Sequence, residues 1–334
     1  MRCSVVMATW QGERFLPRQL ASILGQTRLP DELIVVDDAS FDATPEIIKD
    51  FAVSAPFPVK LIRSEVQRGS TRAFGTAIEA ASGDLVLLAD QDDLWLPQKV
   101  ARLESIFKAS SGTTFAITDA LLIDEDDVAA QETMWQKRGF TPALQAEVRK
   151  HPFRQLSHRF LATGCTMAFR ADLAGLVLPF PESSGDNPAM LHDRWISIIL
   201  SAIGHVAVVP EPLVAYRIHA SQQIGMANAP ASQPAIRRYT RRLVFPQNAA
   251  RSERAFQLRH LHEARARLAA ASTFDQATLA GVDAVIAHQE MRCSLSGPRR
   301  ARTLQIAREL LQGNYREYSR GWSSALIDLL SPAR

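Results

Sequence analysis

Three carboxylates fall within four residues at Asp90-Gln91-Asp92-Asp93, directly after the apolar run Leu85 to Ala89. Charges crowded this closely repel one another, so a folded chain either spreads them on a solvated turn or supplies a cation. Asp90 and Asp92 have the one-residue separation that suits Mg²⁺ or Mn²⁺, which is held by one or two carboxylates together with diphosphate oxygens. An acidic turn without metal is the competing reading.

Other residues could serve such a site. Asp38 ends the apolar run Leu33 to Val36 and Asp37. There it can accept hydrogen bonds from a ribose or a nucleobase N–H, or cap the next helix. Thr9-Trp10 closes the first apolar run, where an indole can stack on a base or simply pack. Asp193 opens a helical pattern in Leu191-His192-Asp193-Arg194-Trp195. Helix N-terminal amides favour an ionised carboxylate, which suits a proton acceptor and equally an ordinary N-cap. His192 and His219 are each a ligand, a donor or a hydrogen-bonded structural residue.

The elements that must position these residues alternate between strand and helix patterns, as βαβ units do. Strands are expected at Cys3–Ala8, Leu33–Val36, Val59–Ile62 and Asp84–Ala89, with helices at Glu13–Leu24, Pro45–Phe51 and Ser70–Ala81 between them. Thr44 is the expected N-cap of the second helix, with Pro45 in its first turn. Each strand ends in polar or acidic residues, and in open α/β sheets ligands sit beyond the carboxyl ends of strands. A strand is expected over Phe115–Ile123, loops or small helices over 124–160, strands at Gly164–Phe169 and His205–Val209, and a helix at Asp193–Ile203. After Gly225 the text turns to Ala, Asn, Pro and Ser and predicts a linker. Ala235–Ala271 and Ala301–Leu330 read as helices with arginines on their polar faces.

Bulk properties set the frame. The chain has 334 residues and is 46% hydrophobic, enough for a large α/β domain and a smaller appendage. Cys3, Cys165 and Cys293 lie far apart without Cys or His ligand spacing, so neither a disulfide framework nor a zinc site is expected, and a reducing compartment fits. The apolar stretch near Met1 is too short for a signal peptide, and no uncharged run approaches the roughly 20 residues needed to cross a bilayer. The net charge of +3 conceals an asymmetry: residues 232–334 carry 17 Arg, no Lys and 8 acidic residues, which makes them +9 and the remainder −6. An acidic body suits a cation-dependent site. A basic C-terminal part suits an anionic lipid surface or polyanion, or forms solvated helical faces.

In this order the pieces resemble the family 2 glycosyltransferases with a GT-A fold. The resemblance is carried by Val5-Val6-Met7-Ala8-Thr9-Trp10-Gln11-Gly12, Ser22 to Thr27, Ile34-Val35-Val36-Asp37-Asp38-Ala39-Ser40, Ala80 to Asp84, Asp90-Gln91-Asp92-Asp93-Leu94-Trp95, His192-Asp193-Arg194-Trp195 and Tyr216-Arg217-Ile218-His219. It covers about residues 1–225, and its late motifs are similar to the rhamnosyltransferase-like branch that acts in polysaccharide assembly. It implies a mostly parallel mixed sheet flanked by helices, with a GT-A domain over 1–228 and an Arg-rich helical extension over 229–334. Thr9, Trp10 and Asp38 would hold the donor nucleoside. Asp90 and Asp92 would serve ribose, diphosphate and Mn²⁺ or Mg²⁺, with Asp92 the direct metal ligand and His219 near the metal or diphosphate. Asp193 matches the catalytic carboxylate of inverting members.

The implied partners are a nucleotide-diphosphate sugar donor and a glycan or lipid-linked acceptor, with no nucleic acid. The implied place is the cytoplasm, with the C-terminal helices docking on an anionic membrane through residues such as Arg237, Arg238, Arg241 and Arg242. Trp10-Gln11 stands where relatives have Tyr-Asn, which keeps an aromatic and an amide. Two other classes compete. A sugar-phosphate nucleotidylyltransferase would need a Gly-rich basic phosphate loop near the N-terminus, and Thr9-Trp10-Gln11-Gly12 is not one. A non-catalytic carbohydrate-binding protein would have no use for Asp90, Asp92 and Asp193 together.

Overall fold

Four parallel strands carry the acidic residues: β1 (Cys3–Thr9), β2 (Glu32–Asp37), β3 (Val59–Arg63) and β4 (Leu85–Asp90). They form the order β3-β2-β1-β4, with Thr9 paired to Asp37 and Ala8 to Asp90. This register brings the carboxyl ends of β1, β2 and β4 level at one edge of the sheet. Val5, Val6, Leu33 to Val35 and Leu85 to Leu88 are fully buried, as expected of parallel strands covered on both faces. The computed structural model describes residues 1–182, 190–220, 222, 247–271, 274–295 and 299–330.

The sheet continues through antiparallel pairings to β8 (Met167–Arg170) and β6 (Thr113–Ile123), then through a parallel pairing to β9 (His205–Arg217) and on to the short β5 (Leu94–Trp95). A further strand, β7 (Ala129–Thr133), pairs with β6. The helices α1 (Leu16–Leu24), α2 (Thr44–Ser54), α3 (Ser70–Glu79), α4 (Lys99–Ala109) and α9 (His192–Ile203) flank this sheet. Their packing follows from periodicity: α1 turns Leu16, Leu20 and Ile23 inward, and burying each such side chain contributes about 1.5–3 kcal/mol. The short helices α5 (Met134–Arg138), α6 (Pro142–Lys150) and α8 (Ala174–Val177) fill the remaining connections.

Several local expectations give way. Thr44 does not cap α2. The N-cap is Ala43, and the Thr44 hydroxyl instead accepts the Gly12 N–H at 2.8 Å, tying the second helix to the loop after β1. Asp193 is the second residue of α9, whose N-cap is Leu191. Gly164–Thr166 is a 3₁₀ turn, so the strand there starts at Met167. The strand after α9 runs on to Arg217, because register shifts near Asp119 let β6 and β9 stay paired along their whole length. Helix α4 and a helix at Gln276–Ser294 carry weaker apolar periodicity and were not anticipated.

Two compact units result, one from residues 1–150 and 160–225, the other from 151–159 and 226–334. The second contains α7 (Pro152–Leu156), α10 (Gln247–Ala270), α11 (Gln276–Ser294), α12 (Arg299–Leu311), α13 (Asn314–Tyr318) and α14 (Trp322–Leu330). Leu295, Ile306, Tyr315 and Ala325 form a core cluster there. Asp275 caps α11 by accepting the Thr278 N–H at 2.8 Å. The expected linker after Gly225, the start of the helix expected at Ala235, and Arg237, Arg238, Arg241 and Arg242 lie outside the described residues. Among the described residues no helix is long and apolar enough to cross a membrane.

Candidate active site

A cavity of about 760 Å³ opens at the carboxyl edge of the parallel strands in the first unit. Thr9, Trp10, Asp38, Asp90, Asp92, Asp193 and His219 all line it. The sequence separates these residues by up to 210 positions, and the register of β1, β2 and β4 brings the first five together.

The loops after β1 and β2 are laced to each other. Gln11 N donates to Ser40 Oγ at 2.9 Å, and Gln11 Oε1 accepts the Phe41 and Asp42 amides at 2.9 and 3.3 Å. Gln11 and Ala39 adopt left-handed φ values of 50° and 64°, a conformation that costs energy for non-glycine residues and that these bonds hold in place. The Gln91 side chain clasps the Trp10 backbone in both directions, accepting its N–H at 2.9 Å and donating to its carbonyl at 3.0 Å. A Cβ at Gly12 would come within 2.4 Å of that amide, so a larger residue there would push the Gln91 side chain off the Trp10 backbone. The Asp38 carboxylate accepts the Arg68 and Gly69 amides at 2.8 and 2.7 Å, which fixes the entry to α3 as well as one cavity wall.

Beneath the acidic turn lies a buried polar cluster. Asp93 is fully buried, its Oδ1 accepts the Arg217 N–H at 2.9 Å, and its carboxyl is hydrogen-bonded to the Cys165 side chain. Carboxylate oxygens of Asp90 and Asp93 lie within 4.8 Å of each other and of Cys165 Sγ. Lys99, also fully buried, donates from Nζ to the Cys165 carbonyl at 2.6 Å and sits 3.6 Å from the Trp95 ring centroid. Burial, then the charges of Asp93, Asp92 and Asp193, push the Asp90 carboxyl well above its ordinary range, against the pull of Lys99. Burial and Asp92 push Asp93 up to about 7, and burial pulls Lys99 down to about 7. The Cys165 thiol is pushed up by burial and the neighbouring carboxylates, so it stays protonated and is a poor, soft partner for a hard cation.

The open side of the turn is different. Asp92 Oδ2 lies 2.8 Å from His219 Nε2, and the Asp92 carbonyl accepts Arg217 Nε at 2.7 Å. Arg217 is fully buried, and its Nη1 also donates to the Asp124 carbonyl at 2.8 Å. The motif Tyr216-Arg217-Ile218-His219 thus holds the acidic turn from below through Arg217 and from the cavity through His219. Asp90 and Asp92 present hard oxygen donors to the cavity where negative charge is in surplus, which fits Mg²⁺ or Mn²⁺ better than the thiol-containing cluster behind them does.

Asp193 stands on another wall. Its Oδ2 accepts the Gly164 N–H at 3.2 Å and its Oδ1 the Arg194 N–H at 2.7 Å, leaving lone pairs on both oxygens. The preceding His192 is buried and stacked on Phe74 with centroids 4.1 Å apart, and burial holds its pKa below the usual imidazole range. It packs into the cavity wall, and Gly164 beside it carries no side chain where a Cβ would meet His192 Nε2 at 2.7 Å.

The sequence model of glycosyl transferase family 2 matches residues 4–173, just over half of the chain. The chain belongs to glycosyl transferase family 2. It is 26% identical over 236 residues to an uncharacterized glycosyltransferase of Nostoc sp., covering 70% of each chain. It is 33% identical over 142 residues to the UDP-Glc:alpha-D-GlcNAc-diphosphoundecaprenol beta-1,3-glucosyltransferase of Escherichia coli, a match spanning 42% of this chain and 54% of that one. Among solved structures, Staphylococcus aureus TarS (residues 1–349) in complex with UDP-GlcNAc superposes with a TM-score of 0.53 at 16% identity, covering 98% of this chain and 90% of that one. The mannosyltransferase PcManGT from Pyrobaculum calidifontis, in complex with GDP-Man and Mn²⁺, gives 0.50 at 18% identity over 99% and 85%. At these identities the two structures establish the fold, a curled, mostly parallel sheet flanked by helices with a helical C-terminal region.

Motif reading missed several cavity residues of this family member. Phe41, 86% exposed at the rim, follows the recognised Asp37 to Ser40 segment by one position and was legible as a neighbour. Arg138 and Phe160 come from the region read as loops or small helices, and Thr163 just precedes the strand expected at Gly164; no pattern pointed to any of them.

Proposed function

We propose that the protein is an inverting, metal-dependent glycosyltransferase that moves a sugar from a nucleoside diphosphate to a hydroxyl of a glycan or lipid-linked glycan. The observation that carries this reading is the convergence of Asp90, Asp92 and Asp193 on one cavity whose opposite loops present Thr9, Trp10 and Asp38. The catalytic domain is assigned to residues 1–228 and the Arg-rich extension to 229–334.

Trp10 offers an aromatic face to the donor base, and the laced loops around it hold that face still. Asp90 and Asp92 would hold Mn²⁺ or Mg²⁺, with His219 fixing the Asp92 carboxylate or adding a nitrogen ligand. When bound, that ion supplies neutralisation of the charge developing on the leaving diphosphate. Asp193, oriented by the Gly164 and Arg194 amides, takes the proton of the attacking hydroxyl. One displacement at the anomeric carbon inverts its configuration.

The donor sugar is assigned as a hexose, rhamnose included, and the pathway as cell-surface polysaccharide assembly. The family match and the lipid-linked chemistry in the name of the Escherichia coli relative support these assignments. A peripheral membrane location at the cytoplasmic face accords with a lipid-linked acceptor. On α14 the apolar residues Trp322, Leu326 and Leu330 recur at four-residue spacing and are 77%, 42% and 39% exposed, with the exposed Arg316 and Arg320 just before them. Each arginine near an anionic surface contributes about 1 kcal/mol. Flotation with phosphatidylglycerol vesicles tests this: binding that ignores salt and survives Trp322→Ser with Leu326→Ser removes the membrane from the reading.

The central test is a screen of nucleotide sugars with Mn²⁺ or Mg²⁺, with the anomer of any product assigned by NMR. The expected product has the anomeric configuration opposite to that of the donor and vanishes on chelation. A product retaining the donor configuration, or release of pyrophosphate from a sugar phosphate and a nucleoside triphosphate, defeats the proposal.

A further inference from the structure

Arg138 is a cavity cation that the reading above leaves without a task. It ends α5, a five-residue helix fixed with unusual care for its length. Thr133 and Gln136 form a capping box at its start, and Gly139, at φ 69°, closes it in the left-handed conformation. The Trp135 N–H donates at 2.9 Å to Asp119, a buried carboxylate at the register shift of β6. The Trp135 ring packs edge-on against Phe140 at 4.6 Å. These bonds place the last side chain of the helix, Arg138, in the cavity wall.

There its Nη1 donates to Thr163 Oγ1 at 2.7 Å, and the guanidinium lies 5.7 Å from the Phe160 ring centroid. One of five N–H donors is thus committed to a neutral hydroxyl. Among the described residues no carboxylate lies within ion-pair distance of Arg138, whereas the cavity's other arginine, Arg14, is tied to Glu125 at 2.6 Å. A half-buried arginine without a carboxylate is expensive unless an anion joins it. Thr163 adjoins Gly164, whose N–H holds Asp193, so the guanidinium is anchored one residue from the support of the proposed base. Asp193 is the carboxylate of the cavity whose charge acts on the guanidinium.

We infer that Arg138, braced by Thr163, is a subsite for an anionic group, a phosphate or carboxylate, carried by the acceptor next to its reacting hydroxyl. This rests on the glycosyltransferase reading and narrows it: the acceptor is charged. An anion approaching the part of the cavity lined by Asp90, Asp92 and Asp193 is repelled, so Arg138 offers it a place beside Asp193 and orients it. The planar guanidinium can offer paired N–H donors to two oxygens, which fixes the sugar's rotation as well as its position.

The experiment titrates the full chain, in metal-free buffer, with glucose 1-phosphate and methyl α-glucoside as charged and neutral probes, followed by ligand-observed NMR. The wild type is expected to bind the charged probe about tenfold more tightly than the neutral one, a preference that salt weakens. Arg138→Met should erase the preference, and Arg138→Lys, which keeps the charge and the reach to Thr163, should retain part of it. Equal binding of glucose 1-phosphate by wild type and Arg138→Met overturns the proposal, as does a wild type with no preference; should Arg138→Met not fold, Arg138→Lys and the salt dependence of the wild type decide. UDP and GDP with Mn²⁺ locate the anion's source. Unchanged nucleotide affinity in Arg138→Met supports an acceptor subsite, and a tenfold loss there moves the guanidinium to the donor diphosphate and overturns the acceptor assignment. A wild type that binds neither nucleotide yet keeps the Arg138-dependent preference supports the anion site and counts against the glycosyltransferase reading alone.

Discussion

The first unit gathers three carboxylates at one turn and the second buries a single one, and the two are neutralised in opposite ways. In the second unit Asp328 is fully buried and saturated. Arg292 reaches it with Nε at 2.7 Å and Nη2 at 3.3 Å, Arg254 meets its Oδ1, and the Tyr315 hydroxyl donates at 2.9 Å. Two cations thus serve one acid. In the first unit Lys99 acts on Asp90 and Asp93, Asp92 pairs with His219, and the side chain of Arg217 binds the Asp92, Asp124 and Glu125 carbonyls and the Asp127 carboxylate. The first arrangement leaves nothing for a ligand to do. The second has surplus acid and an open face, which suits a cation in a way that the saturated Asp328 does not.

The contrast predicts that substitutions in the first unit strike turnover and those in the second strike stability. The largest effect is expected at Asp193. Asp193→Asn keeps one oxygen, enough for the Gly164 or the Arg194 amide but not both, and cannot take a proton, so transfer should fall by about 10²–10⁴-fold with nucleotide binding nearly unchanged and a stability loss of about 1 kcal/mol. A near-normal rate removes Asp193 from its role. Asp328→Asn should do the reverse. It leaves Arg254 and Arg292 facing a neutral group, a loss of about 3–5 kcal/mol in chemical denaturation, while nucleotide affinity of the folded fraction stays put. Loss of nucleotide affinity without loss of stability in Asp328→Asn would erase the distinction between the two sites.

Lys99 sharpens the comparison because it serves both purposes. Lys99→Met removes the Nζ bond to the Cys165 carbonyl and the only lysine among these acids, at a cost of about 1–3 kcal/mol. Mn²⁺ at the open face should recover part of that loss, since an ion that binds the folded state stabilises it by mass action. The midpoint shift with and without Mn²⁺ measures this; an identical loss in both conditions means that Lys99 is a packing residue and no part of the charge balance.

How far the sequence disclosed this follows from the range of the interactions. The parallel strands and their helices were legible because burial on both faces writes continuous apolar runs and helix faces write a three-to-four spacing. The acidic turn was legible because it directly follows an apolar strand, and Asp193 because it opens a helix with apolar spacing. Arg138, Thr163 and the Lys99–Cys165 contact were not, because each depends on a tertiary approach between segments that carry no local pattern. Thr44 illustrates the limit: its type and position suit an N-cap, but Gly12 lies 32 residues earlier in the chain and takes its hydroxyl. The two-cation pairing of Asp328 was equally hidden, since Arg-rich helices read as solvated faces until packing selects which arginines turn inward.

The smallest expected effect concerns acid. In the second unit His158 is held well below the ordinary imidazole range, by burial first and then by Arg159, Arg320 and Arg292. Above about pH 6.5 the ring is neutral in both folded and unfolded chains, and contributes no pH dependence. As pH falls below that value the unfolded chain takes up a proton that the folded unit refuses, so stability declines with falling pH until the folded pKa is reached. His158→Gln, which has no charge to gain, should therefore lose less stability than the wild type between pH 7.5 and pH 5.5. Denaturation curves at the two pH values supply the comparison; equal losses in wild type and variant would assign the acid sensitivity to other groups, His288 foremost, which burial also holds low against the pull of Glu309.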